Sequence, residues 1–457
     1  MEAKLVTKVD YKTGIVGGFK YISVAIFVII LALIPTLISE FYIRVLATAV
    51  NTVLLIATLR FYISIFSGLA PVGKIGKIRE YPFVSIIVPA YNEEKVLERN
   101  IKSMLELDYP KGKIEFIYVY EDKCTDRTEE IILKFAAQDK RIKPIKRKAQ
   151  NGGKAAATNY GLKFAKGDII GSFDADHSLE PDAVKRAVYW WQNKKVACGK
   201  WRCRTINKDE SFLARLAGTE RDIIERIEIY SRHVIGGFSF FGGGHAFFKK
   251  SIFKKIGLFD EDIMTEDIDF SVKIHEAGYE IVVDPYIVSW EETPSTLTQW
   301  WHQRKRWSRG WMQVASRHLG KTLTSKKLTP MKKFDTAISL AYTVLPIFTT
   351  LLYPIMGLTL LGYTRGSFYP DECMSFFVGL AVFTPILSVG SAWALDIKKG
   401  EKMRWNEIPC LILMVPYTII HSFVSWAAFT DEFIIKKKPE YVKTIRTGVV
   451  TVDTLPA

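Results

Sequence analysis

At 457 residues the chain is too long for a single hydrophobic core, so two or more domains are expected. Its residues are 48% hydrophobic and 13% aromatic, and unevenly spread, with long apolar runs at both ends and a mixed, charged region between them. The net charge of +15 comes without a zinc-finger, RNA-recognition or basic-helix signature, so nucleic acid is set aside as a partner, and a membrane protein with Lys and Arg on its cytoplasmic side accounts for the excess. The five cysteines, Cys124, Cys198, Cys203, Cys373 and Cys410, include no C-x₂-C pair and read as reduced structural thiols in a chain whose main domain faces the cytosol.

The basic residues Lys4, Lys8, Lys12 and Lys20 keep the amino-terminal end cytoplasmic. The run Tyr21 to Ser39 is about long enough to cross a bilayer. A second run, Phe41 to Leu69, follows at once, and no small-residue cleavage site lies between them, so the first is a retained anchor rather than a signal peptide. Arg60 within the second run either snorkels to the nearer interface or lines a polar path between helices. The basic segment G-K-I-G-K-I-R, Gly73 to Arg79, brings the chain back to the cytoplasm.

From Tyr81 the texture becomes alternating strands and helices. Strands are predicted at Phe83–Pro89, Ile114–Tyr120, Ile142–Ile145 and Ile169–Phe173. Helices are predicted at Glu93–Leu107, Thr125–Ala137 (capped by Thr125 or Asp126), Lys154–Ala165 and Asp182–Asn193. Such an order implies a Rossmann-like α/β domain with a mainly parallel sheet covered on both faces, whose ligands bind beyond the carboxyl ends of the strands. The polar clusters Tyr91-Asn92-Glu93, Glu121-Asp122 and Asp174-Asp176 fall at those ends. Pro294 to Trp311 and Arg317 to Lys333 read as amphipathic helices on a membrane face, with Trp300, Trp301 and Trp311 as interfacial anchors. Three further apolar runs, Phe334–Tyr363, Met374–Asp396 and Ile408–Phe433, make an odd number, which places the tail outside unless the last run bends at Pro416 and re-enters; the basic tail argues for the inside. The expected division is 1–70 for two transmembrane helices, 71–292 for the α/β domain, 293–333 for interfacial helices, 334–434 for about three transmembrane helices and 435–457 for the tail.

The central motif is G-S-F-D-A-D-H, Gly171 to His177. Carboxylates at i and i+2 beyond a strand end can both reach one divalent cation, and oxygen ligands beside a diphosphate suit Mg²⁺ or Mn²⁺. An acidic turn ahead of a helix is the plainer alternative, and His177 is equally a ligand or a buried, hydrogen-bonded histidine.

In order, the motifs V-P-A-Y-N-E-E, Y-E-D-K-C-T-D-R-T, N-G-G-K-A-A-A-T-N, F-D-A-D-H, F-F-G-G-G-H, T-E-D and Q-R-K-R-W resemble those of family-2 processive membrane glycosyltransferases, the cellulose, chitin and hyaluronan synthases, across residues 80–315. Glu121 stands where that family has the first acid of a D-D pair, and glycines replace the Cys and Ser of its F-F-C-G-S segment. The resemblance implies a GT-A domain, facing the cytoplasm, on a helical membrane region in the plasma membrane. It implies an inverting hexosyltransferase drawing on a nucleotide-diphosphate sugar, with UDP as the carrier, and a glycan or lipid acceptor. The ending K-P-E-Y-V-K-T-I-R-T-G resembles other membrane glycosyltransferases of this kind.

Carried over residue by residue, the resemblance gives Ala90, Tyr91, Glu93, Asp122, Lys154, Asp174, Gln303 and Arg306 to the nucleotide sugar, and Asp176, Asp174 and His177 to the metal. It gives Asp267 the role of general base and assigns Trp307, Phe241, Gly243, His245 and Glu266 to the acceptor, although Glu266 also reads as structural. Arg306 can hold diphosphate oxygens in two-pronged fashion, and Trp307 offers a flat face to a sugar ring; a cation–aromatic membrane anchor is their alternative. Processive extension of a β-linked polysaccharide, single transfer to a membrane lipid, and a degenerate scaffold remain the competing readings.

Overall fold

A computed structural model describes residues 4–5, 21, 23–30, 34, 39–73, 76–148, 153–362, 366–401, 405–438, 440–441 and 446–448. The first apolar run and much of the basic tail lie wholly or partly outside them.

The apolar stretches of the central region form a mixed sheet. Its strands are β1 (Val84–Ala90), β2 (Ile114–Glu121), β3 (Ile142–Arg147), β4 (Ile169–Phe173), β5 (Ser178–Leu179), β6 (Val196–Thr205), β7 (His245–Lys249) and β8 (Glu280–Glu291). They lie in the order β3-β2-β1-β4-β7-β6-β8-β5. The first four run parallel, β7 is antiparallel to both its neighbours, and β6 and β8 are parallel. β1 and β2 are buried on both faces, which is why they read as continuous apolar runs rather than as alternating ones. One face packs Val84, Ile86, Phe116 and Tyr118 against Leu97 and Ile101 of the Glu94–Leu105 helix; the other packs Ile87, Ile117 and Ile170 against Ala155 and Ala157 of the Gly153–Leu162 helix.

The second predicted helix begins later than expected, at Thr128, and its cap residue is Arg127. Asp126 is spent otherwise: its carboxylate accepts from the Thr128 and Glu94 amides at 3.0 Å each and ties two helix starts together.

Among the described residues, three helices are long and apolar enough to cross a membrane: Glu40–Gly68, Asp371–Ile397 and the segment Trp405–Ile434. The run 334–363 divides into Pro330–Ala341 and Leu345–Leu360. The helix Ile408–Phe429 continues through Pro416 without re-entry. Arg60 does not snorkel. It is 5% exposed, and its Nε donates to Asp335 at 2.6 Å, so a neighbouring helix satisfies the charge. Nor are the tryptophans a simple surface belt. One continuous helix, Leu297–Thr324, carries them; Trp300 is buried and donates from Nε1 to the Tyr417 hydroxyl at 2.5 Å, and Trp311 packs edge-on to Phe240 at 5.2 Å.

The sheet and the apolar helices meet along a charged seam. Lys200, Arg202 and Arg204 lie two apart on β6, so they share one face. Lys200 donates to Glu225 at 2.6 Å; Arg202 grips Asp396 with two bonds of 2.6 and 2.7 Å; Arg204 reaches Glu401 at 2.6 Å. Lys208 spans Asp222 at 2.5 Å and Glu407 at 3.2 Å. Replacing Asp396 by Ala strands the buried Arg202 and is expected to cost roughly 3–5 kcal/mol. That loss is read as a lower apparent Tm in detergent, and the paired change Arg202→Met with Asp396→Leu recovers most of it.

Candidate active site

β1, β2 and β4 end side by side, so the residues just beyond them face one space. A cavity of about 1170 Å³ opens there. Its walls include Ala90, Tyr91 and Glu93 after β1, Glu121 at the end of β2, Asp174 and Asp176 after β4, and Lys154 near the start of the Gly153–Leu162 helix. Glu266 and Asp267 enter from the start of the Glu266–Glu276 helix, and Gln303, Arg306 and Trp307 from the Leu297–Thr324 helix. Acids and cations separated by more than a hundred residues thus line one cavity.

The Lys154 ammonium lies 2.7 Å from Asp174 and 3.9 Å from Glu266. Burial alone would raise the Asp174 carboxyl, but Lys154, with His177 and Arg446, outweighs it and holds the group at about 2. Glu266 has less help: burial, the stronger influence, pushes it up to about 7 despite Lys154. Burial also raises Asp267, against the Gly243 and Ile268 amides and the Lys154 charge. Those amides donate to the two Asp267 oxygens at 2.5 and 2.8 Å and fix its plane. The glycine run 242–244 is needed here, because a Cβ at Gly244 would collide with the Asp174 carboxylate, and the Gly244 carbonyl accepts from the Asp174 amide at 2.9 Å.

Asp174, Asp176 and His177 each present a ligand atom, all within 4.8 Å of one another. Two carboxylates and an imidazole form a donor set that fits Mg²⁺ or, with its tolerance for nitrogen, Mn²⁺. Burial pushes His177 down to about 4 against the pull of Asp176 and Asp174, so its ring is neutral at physiological pH, the form that ligates. The ring nitrogen Nε2 faces Glu291 at 3.0 Å, a carboxylate placed to orient it.

Two acceptor assignments do not hold. Phe241 is 3% exposed and sits in an aromatic core with Phe248, Phe259 and Phe270. His245 is 1% exposed, stacks on His177 at 5.0 Å between ring centres and engages Lys200. The F-F-G-G-G-H segment reaches the cavity through Phe240, Gly242 and Gly243, and its His245 packs on His177 instead. Asp122 is exposed in the turn just past β2, with its amide donating to the Arg147 carbonyl at 2.9 Å, while Glu121 lines the cavity and takes the Arg147 guanidinium at 2.5 Å.

Motif matching missed several residues. Arg304, an unspecified position of Q-x-x-R-W, lies 4.3 Å above the Trp307 ring and pairs with Glu220; Arg221 approaches the same ring at 5.8 Å. Arg446, in the K-T-I-R-T-G ending, lies 3.0 Å from the Asp176 Oδ2 atom and forms part of the cavity wall. The Thr447 amide beside it donates to Glu292 at 2.8 Å. Residues 446–448 therefore lie against the α/β domain. The only signal was the ending itself.

A sheet of this order, with acids and a lysine gathered past its parallel strands, defines the GT-A class. In agreement, a mannosyltransferase from Pyrobaculum calidifontis, solved with GDP-Man and Mn²⁺, superposes with a TM-score of 0.58 at 20% identity, over 86% of this chain and 99% of that one. Residues 85–257 match the family Glycosyl transferase family 2. A β-monoglucosyldiacylglycerol synthase from Nostoc sp. is 32% identical over 51% of this chain and 49% of its own length. A poly-β-1,6-N-acetyl-D-glucosamine synthase from Staphylococcus epidermidis is 29% identical over 68% of this chain and 75% of its own. The chain spans about half the length of the first of these.

Arg446 holds the Asp176 Oδ2 atom at 3.0 Å, so a divalent cation taking that oxygen as a ligand would have to displace it. Replacing Arg446 by Ala is expected to strengthen Mn²⁺ binding to the nucleotide-free protein by about tenfold, because one unit charge leaves the ligand; calorimetric titration measures it.

Proposed function

We propose that the chain is an inverting hexosyltransferase that moves a sugar from a UDP-sugar to the growing end of a β-linked polysaccharide and feeds the product between its apolar helices. It is set in the plasma membrane with the α/β domain in the cytoplasm. One observation carries this reading: Asp174, Asp176, Asp267 and Trp307 share a single cavity with Leu54, Ala57 and Phe61 of the Glu40–Gly68 helix, Thr384 and Ser388 of the Asp371–Ile397 helix, and Tyr417 and Ser425 of the Ile408–Phe429 helix.

Asp176, Asp174 and His177 would hold Mg²⁺ or Mn²⁺, which supplies Lewis-acid stabilisation of the leaving diphosphate. Lys154, Arg306 and Arg446 add fixed positive charge on the same wall, and Gln303 adds a hydrogen-bond donor. Trp307 supports the terminal acceptor ring. The acceptor oxygen forms its bond to the anomeric carbon as the bond to diphosphate breaks, and its proton passes to Asp267. Raised by burial, Asp267 is a stronger base than an ordinary carboxylate. Glu266, at about 7, is partly protonated near neutrality and so can donate to a sugar hydroxyl. With Asp267 as the base and the acceptor oxygen attacking the anomeric carbon directly, the reaction is one displacement with inversion.

Single transfer to a membrane lipid is the second reading, favoured by the glycolipid synthase among the relatives. Purified protein given radiolabelled nucleotide sugars with Mn²⁺ or Mg²⁺ separates the two: an alkali-stable polymer supports extension, one labelled glycolipid supports single transfer, and no transfer to either overturns both.

Asp267→Asn is expected to lower kcat by roughly 10²–10⁴-fold while nucleotide affinity stays within about twofold. Because the folded pKa of Asp267 is raised, the base form is lost earlier on acidification, so the acid limb of kcat/KM in the wild type should lie above the ordinary Asp value of about 3.9.

A further inference from the structure

The cavity does not end at Trp307. Beyond Arg304 it meets a polar cluster formed by the Phe212–Asp222, Leu297–Thr324 and Ile408–Phe429 helices. Glu220 is its centre. Its Oε2 atom accepts from the Arg304 guanidinium and from the Tyr417 hydroxyl at 2.8 Å. Its Oε1 atom faces His421 Nε2 at 3.4 Å, a separation too long for a good hydrogen bond. His421 is held edge-on between Trp300 and Tyr417, each ring centre 5.0 Å away, and its Nε2 is buried without a hydrogen bond. Arg304 links the cluster to the Trp307 ring at 4.3 Å.

We infer that Glu220, Tyr417 and His421 form a second acceptor subsite, adjoining Trp307, that binds hydroxyl groups of the acceptor. The inference rests on the proposed sugar transfer and adds to it the chemistry recognised one step behind the reacting hydroxyl. A carboxylate oxygen and a ring nitrogen 3.4 Å apart form an acceptor–donor pair that a hydroxyl can bridge, accepting from one and donating to the other. Glu220 suits this task because it remains ionised: burial alone would raise it, but Arg304 and His421 hold it below its ordinary value. Trp300, Tyr417 and His421 fix the polar pair in an aromatic frame, so little side-chain freedom is lost on binding. Thr418, Ser422 and Ser425 continue the hydroxyl-compatible wall along the same helix. Two sources offer such hydroxyls, the penultimate sugar of a glycan chain and the polar head of a glycolipid.

His421→Ala and Glu220→Gln test the subsite in the full-length protein in detergent. Nucleotide affinity and acceptor-independent donor hydrolysis are measured first. Acceptor KM is then measured in two arms, β-linked oligosaccharide and diacylglycerol in mixed micelles. The expected result is an acceptor KM raised about tenfold in one arm, equivalent to about 1.4 kcal/mol. Nucleotide affinity and hydrolysis should stay within about twofold, and His421→Gln should recover part of the loss. A rise in the saccharide arm assigns the subsite to a glycan, and a rise in the lipid arm to a lipid head. Unchanged KM in both arms, or a parallel fall in nucleotide affinity, overturns the subsite. Wild-type protein that transfers nothing in either arm overturns the functional reading beneath it, whereas wild-type transfer matched by the variants removes the subsite alone.

Discussion

The charged face of β6 is the constraint on which the rest of the molecule depends. A strand in the middle of a sheet normally buries apolar groups, yet here Lys200, Arg202 and Arg204 point to one side, the first two almost fully enclosed and the third partly so. Desolvating three cations is affordable only if each meets an acid held in place by other contacts. Glu225, Asp222, Asp396 and Glu401 supply those acids, and Glu407 pairs with Lys208 just beyond the strand. The seam is directional in a way that apolar packing is not. A helix that slides by one turn leaves a buried charge without a partner, so the α/β domain has one register on the helices, and the cavity that crosses the boundary has one shape.

The same balance governs the site. Its carboxylates are not uniformly acidic, because each is set by how much positive charge offsets its burial. Asp174 touches Lys154 and stays ionised; Glu266 lies farther from that ammonium and rises to about 7. A single lysine therefore sorts neighbouring acids into a metal-type ligand and a partly protonated donor. Asp267 is held by two amides and raised by burial. Separated pKa values among adjacent carboxyls allow one pocket to hold a cation and accept a proton at the same pH.

Much of this was legible in the sequence, and the reasons are physical. Parallel strands buried on both faces leave continuous apolar runs, so β1, β2 and β4 could be placed to within a residue or so at either end. Site residues that sit at strand ends, such as Asp174 and Asp176, inherit that precision. The misplaced residues have a common cause. Phe241 and His245 lie beside residues that face the cavity, and near a strand one step along the chain turns a side chain to the opposite face. His245 looks like an acceptor contact in sequence and proves to be the stacking partner of His177. Arg60 and Trp300 were read against lipid because sequence shows a residue's own helix but not the Asp335 or Tyr417 that faces it. Glu220, His421 and Arg446 are long-range in the same sense, with partners far away along the chain.

A close approach in the site ties two of its elements together. A Cβ on Gly310 would come within 2.3 Å of the Thr265 side chain, so glycine alone lets the Leu297–Thr324 helix press against the turn that starts the Glu266–Glu276 helix. Three residues earlier on that helix is Trp307, and two residues after Thr265 is Asp267. The ring that would support an acceptor and the carboxylate that would deprotonate it are thus fixed to each other through one backbone contact. The same helix carries Arg309, whose Nη2 donates to Glu432 at 2.9 Å, and Lys305, which donates to Asp431 at 2.9 Å. These bonds join it to the far end of the last apolar segment. That segment therefore anchors the 28-residue helix on either side of Trp307, through positions 305 and 309.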